Sequence, residues 1–156
     1  MRKILELISL AILAALFVVG GFEVFGPNRL PARIPTHFDT SGNANGWSSP
    51  SALLLLPLIA LGVYVAMTVV SRFPETFNYP VTVTAENRPR LEALALDLLA
   101  WMKAEVAILA VAVMWIWLGA IQHPGQAHSP LWVLVFVGAI LATAAWFIGA
   151  TVRQAR

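Results

Sequence analysis

The sequence predicts an all-α integral membrane protein: a bundle of four transmembrane helices, both termini cytoplasmic, with one structured outer loop between the first two helices. Three observations carry this. Hydrophobic residues make up 59% of the chain and charged residues 12%, against about 45–50% and about 25% in an average soluble domain. Mean hydropathy is +0.77. The 156 residues hold four apolar runs, each close to the ~20 residues that cross a hydrocarbon core of ~30 Å. The runs are continuous and do not alternate with a period of two, which argues against barrel strands. Little chain is left over, so residues 1–156 are expected to form a single transmembrane domain.

The first span is placed at residues 7–25. Met1-Arg2-Lys3 followed by an apolar stretch has the outline of a secretory leader. The stretch is too long for one, however, and Glu23-Val24-Phe25-Gly26-Pro27 is too bulky and acidic for a cleavage site, so an uncleaved span is expected. The outer loop covers 26–51 and leads into the second span at 52–70, where Pro57 is expected to kink the helix.

A cytoplasmic connection, 71–103, contains the amphipathic start of the third helix. Asn87 is a plausible cap, Pro89 suits a first turn, and Leu91, Leu94, Leu98 and Leu99 follow helical spacing. One helix is expected from there to Gln122, its span occupying 104–122, with Lys103 snorkelling at the boundary. The fourth span is 130–152. Trp47, Trp101 and Trp132 fall near span ends, where an amphipathic ring suits the headgroup layer. Gly20, Gly21, Gly138, Ala142 and Ala145 permit close helix contacts and would allow a homo-oligomer.

Orientation follows from the basic residues. Arg2 and Lys3 precede the first span, Arg72, Arg88 and Arg90 lie between the second and third, and Arg153 and Arg156 follow the fourth; only Arg29 and Arg33 fall on the other side. The bias places the termini and the 71–103 connection in the cytoplasm and the 26–51 loop outside. A formal charge of +2, with no basic cluster among exposed aromatics, argues against nucleic acid as a partner. The absence of cysteine removes disulfides, thiolate metal sites and cysteine nucleophiles.

Chemistry is expected where polar residues meet water. The outer loop offers His37, Phe38, Asp39, Gly42, Asn45 and Trp47 as ligand-binding candidates. Ser41-Gly42 and Asn45-Gly46 are turn dipeptides, and the same stretch also reads as a compact hairpin lying on the membrane. All three histidines lie on the outer side, so His37, Asp39, His123 and His128 form a candidate ligand set for a divalent metal, although no helical HExxH pair is present. Neither a nucleophile elbow nor a phosphate-binding glycine pattern is found. Among intramembrane polar residues, Glu23 is expected to pair with Arg29 or Arg33. Glu105 either pairs with Lys103 or a cytoplasmic arginine, or works with Asp97 as a proton or cation relay.

Leu30-Pro31 and Ile34-Pro35-Thr36-His37-Phe38, followed by Gly42, Gly46 and Trp47, resemble the signature of the membrane family known as domain of unknown function 1648, shared with bacterial SdpI-type immunity proteins. A second block, Asn78-Tyr79-Pro80-Val81 with Val83 to Asn87 and Leu98 to Glu105, resembles the family's sequence leading into a span. The resemblance implies a bacterial inner-membrane protein and a functional role for His37 and Asp39. It also implies, through the SdpI-type members, protection from a secreted toxic peptide and membrane capture of a small repressor when that peptide is sensed; the partner expected is a secreted peptide or another membrane protein. The function expected is therefore non-enzymatic ligand or partner binding through the outer loop, in peptide-toxin immunity or envelope signalling and with no cofactor. The alternatives are a metal-binding protein or metal-dependent membrane enzyme using His37, Asp39 and the outer histidines, and a transporter subunit using Glu105.

Overall fold

The computed structural model describes residues 1–27, 30–126 and 131–154. Four long helices and one hairpin follow in chain order: α1 (Arg2–Phe25), β1 (Ile34–Phe38), β2 (Ala44–Ser48), α2 (Ala52–Val70), α3 (Arg88–Gln122) and α4 (Leu131–Gln154), with a short 3-10 turn at Pro74–Thr76. All four helices are long and apolar enough to cross a membrane. The expected transmembrane architecture is therefore present, with a small antiparallel sheet added at one end.

α1 begins earlier than the apolar run suggests, at Arg2, because Arg2 and Glu6 find partners on other helices. It stops at Phe25, where Gly26 turns extended. Pro27 follows, and a residue preceding proline is driven out of the helical region by the pyrrolidine ring. α3 is one unbroken helix of 35 residues from Arg88, with Pro89 in its first turn. Asn87 does not cap it by side chain. Its Oδ1 instead accepts from the Thr84 N–H at 2.8 Å while its own N–H donates to Thr84 Oγ1, which knots the turn that feeds the helix.

The core gathers Leu13 and Leu16 of α1, Leu53 of α2, Ala107, Ala110 and Met114 of α3, and Ile34 of the hairpin. α1, α2 and α3 pack mutually, while α4 packs on α3. Only 6% of the α4 span is buried, against 28% for α1 and α3, so most of its surface is left for lipid.

Pro57 lies within α2, and the helix continues through it to Val70. A proline nitrogen cannot donate to the carbonyl four residues back, which here is Leu53 O. α1 approaches that carbonyl closely: a Cβ added to Gly20 would lie 2.7 Å from it. Gly20 thus lets the two helices meet at the carbonyl released by the proline, the kind of close backbone contact that small residues permit between spans.

Several polar residues sit differently from expectation. Lys103 does not snorkel; it is 3% exposed and its ammonium donates to Glu6 on α1 and, at 3.2 Å, to Thr68 Oγ1 on α2. Glu6 also accepts from Tyr64 Oη at 2.5 Å, and the Lys103 ammonium lies 5.1 Å from the centre of the Tyr64 ring. One cation therefore joins three helices, because a charge in an apolar bundle is tolerated only when paired. Asp97 pairs with Arg2 at 2.5 Å, not with Glu105. Among the described residues Glu105 is bound neither by Lys103 nor by an arginine; its Oε1 accepts from Thr143 of α4 at 2.5 Å, and its Oε2 is buried with no hydrogen bond from any of them. Among the described residues Glu23 forms no ion pair, and Arg29 lies outside them.

Candidate functional site

The hairpin caps one end of the bundle. Ile34 is fully buried and drives β1 into the core formed by α1, α2 and α3. Thr36, also buried, shares a hydrogen bond of 3.1 Å with Ser48 across the two strands. The pairing runs Pro35 with Trp47, His37 with Gly46 and Phe38 with Ala44. Thr36 is thus an extra residue on β1 and Asn45 an extra residue on β2. The two irregularities compensate, restoring the register while increasing the local twist.

Asp39 builds the turn. Its Oδ1 accepts from the N–H groups of Ser41 and Asn43, both at 2.9 Å, while the Gly42 N–H donates to its carbonyl and its own N–H donates to the carbonyl of Asn43. These bonds hold the carboxyl of Asp39 below its ordinary value; the backbone of Asn43 contributes most, against an opposing desolvation effect, with the Asn43 side chain and the backbone of Ser41 and Gly42 adding to it. Gly42 has φ +83°, the left-handed position that closes a three-residue hairpin loop and that glycine occupies without a Cβ penalty. Gly46 has a different reason. A Cβ there would lie 2.9 Å from the Cβ of His37, its partner across the sheet.

Between the hairpin and the end of α3 lies a cavity of about 500 Å³. Phe38 and Trp47 supply aromatic walls, Arg33 a guanidinium, and Ile121, Pro124 and Gln126 close the opposite side. Arg33 donates to the backbone carbonyl of Trp47 at 3.5 Å, which ties the approach to β1 to the second strand. α3 ends here because the His123 N–H makes the last helical bond, to Gly119 O, and the chain then turns through Pro124 and Gly125.

Of the six loop residues expected to bind, Phe38 and Trp47 line this cavity. His37 and Asn45 are exposed and outside its lining; Asp39 and Gly42 are engaged in the turn. Among the described residues, no three His, Asp or Glu side chains come together as a metal-binding group, and His128 lies outside those residues. Arg33, Ile121, Pro124 and Gln126 were not anticipated. Proximity of the hairpin to the end of α3 depends on bundle packing, although placing the 26–51 loop and the 122–129 turn at the same end was already a hint.

No curated protein and no solved structure matches the chain. The match of a family model does not extend to the second block, 78–105, and ends within α2. That family is a domain of unknown function, DUF1648, whose model matches residues 8–61, from α1 through the whole hairpin into α2; the chain accordingly fits a membrane family carrying that domain, the one its Pro-Thr-His-Phe block resembles.

Proposed function

We propose that this protein is a non-enzymatic receptor of the bacterial inner membrane whose hairpin end faces outward and receives an apolar segment of a secreted peptide, as in peptide-toxin immunity. The observation that carries the reading is the cavity of about 500 Å³ walled by Phe38 and Trp47 beneath the hairpin. Concave, aromatic-lined sites with a few polar groups are where proteins bind ligands. Phe38 and Trp47 suit bulky apolar side chains, while the Arg33 guanidinium suits a carbonyl or carboxylate of the same ligand. The SdpI-type proteins that share the domain supply the class of ligand, and the Lys/Arg bias of the sequence supplies the orientation.

The test is a protection assay. Cells that express the chain are challenged with apolar membrane-active peptides and compared with cells expressing Trp47→Ala or Phe38→Ala at equal membrane levels. Protection that falls tenfold or more in both variants, and is retained in His37→Ala, is the expected result. Equal protection by all four chains, or none by any, would overturn the reading.

A further inference from the structure

At the end of the bundle opposite the hairpin, the connection between α2 and α3 folds back over the helices and leaves a groove of about 290 Å³. Its walls include Phe77 and Tyr79 of the connection, Leu94 and Leu98 of α3, and Phe147 and Thr151 of α4. Val70, the last residue of α2, also borders it. Thr151 lies three residues before the end of α4, so the groove sits where the spans end. The connection is held in place by Tyr79 Oη, which donates to Pro74 O at 3.0 Å, with the Phe77 and Tyr79 rings 6.3 Å apart. Burial, then the nearby Glu92 carboxylate, raise the pKa of the Tyr79 phenol against the opposing charge of Arg88. It therefore remains a neutral donor.

The charges at this end are unevenly committed. Three carboxylates are matched: Glu6 to Lys103, Asp97 to Arg2, and Glu92 to Arg88 at 3.6 Å. Glu75 and Glu86, on the connection, have no ion-pair partner among the described residues, and neither do the guanidinium groups of Arg72, Arg90 and Arg153. Arg90 stands one helical turn before Leu94, on the stripe that continues through Leu98, and helical side chains lean toward the N-terminus. Arg90 is exposed, one turn closer to the start of α3 than the groove-lining Leu94. Arg72 and Arg153 each follow a groove-lining residue by two positions.

We propose that this groove holds one anionic phospholipid, with an acyl chain against Leu94, Leu98 and Phe147 and its phosphate at Arg90. An apolar trough at a membrane boundary, near cations with no ion-pair partner among the described residues, is complementary to a molecule carrying both an acyl chain and a negative headgroup. The proposal concerns the end of the bundle away from the hairpin cavity and is independent of what that cavity binds.

The test is native mass spectrometry of the full chain in detergent, titrated with phosphatidylglycerol and with phosphatidylcholine of the same acyl chains. One phosphatidylglycerol should be retained per chain, in preference to phosphatidylcholine. Arg90→Gln, an exposed substitution, should weaken phosphatidylglycerol binding about fivefold, the value of one cation near an anionic headgroup, and leave phosphatidylcholine unchanged. Leu98→Trp should reduce retention of both lipids by filling the groove; if that variant does not fold, Arg90→Gln decides. Equal retention of the two lipids by the parent chain, or no effect of Arg90→Gln, would overturn the proposal. Trp47→Ala should bind lipid as the parent does, so failure of the hairpin reading leaves this result untouched.

Discussion

At the scale of single residues, the hairpin separates two kinds of conspicuous side chain. Asp39 and Gly46 shape the loop, while Phe38 and Trp47 face its cavity. Gly46→Ala forces a Cβ to within 2.9 Å of His37 Cβ, and overpacking of this kind costs about 1–3 kcal/mol. We expect a lower melting temperature for Gly46→Ala and no rescue by an added His37→Ala, because alanine retains the clashing Cβ. Asp39 makes a prediction in pH. Its carboxyl has an ordinary pKa of 3.8, and the fold lowers it. Its contribution is therefore fully present above pH 3.8 and disappears as pH falls through the lower folded-state value. Amide resonances of Ser41 and Asn43 should shift in an acidic transition whose midpoint lies below 3.8 in the parent, and lose that transition in Asp39→Asn. The turn dipeptides made a hairpin legible in the sequence. The two compensating irregularities, which decide that Phe38 rather than His37 meets the cavity, depend on cross-strand pairing, to which spacing along the chain is blind.

At the scale of the helices, polar contacts fix which span lies beside which. Lys103, Glu6, Tyr64 and Thr68 tie α3 to α1 and α2, and Thr143 with Glu105 ties α4 to α3. Removing one member of a buried ion pair strands the other, which costs about 3–5 kcal/mol, whereas replacing both by apolar groups costs far less. Glu6 retains 31% side-chain exposure, so the lower end of that range applies. Lys103→Met and Glu6→Leu alone should each lower the thermal stability of the detergent-solubilised protein, and the double variant should recover most of the loss. Equal and additive losses in a double-mutant cycle would show that the two side chains act independently. The length of α3 was legible from the leucine spacing after Asn87 and Pro89. The buried cation was not: Lys103 stands at the edge of an apolar run, where snorkelling is the ordinary outcome, and only the arrival of Glu6 from a distant part of the chain makes burial favourable.

At the scale of the whole molecule, the two ends differ in charge and in shape, and that difference defines how the protein should sit in a bilayer. The end carrying the helix α1 start, the 71–87 connection and the α4 terminus holds Arg2, Lys3, Arg72, Arg88, Arg90, Lys103 and Arg153, whereas among the described residues Arg33 belongs to the hairpin side. Basic residues flanking spans are retained on the cytoplasmic face, so the hairpin cavity should open to the outside and the arginine-rimmed groove to the cytoplasm. The chain contains no cysteine, so single reporters can be placed without background. Ser41→Cys, at the exposed hairpin tip, should react with a membrane-impermeant maleimide in intact cells. Arg90→Cys, at the start of α3, should react only after permeabilisation. The reverse pattern would turn the cavity toward the cytoplasm, where a secreted peptide arriving from outside cannot meet Phe38 and Trp47, and would remove the receptor reading. The lipid groove would survive such a reversal, since anionic phospholipid and unpaired arginines can meet on either face of the membrane.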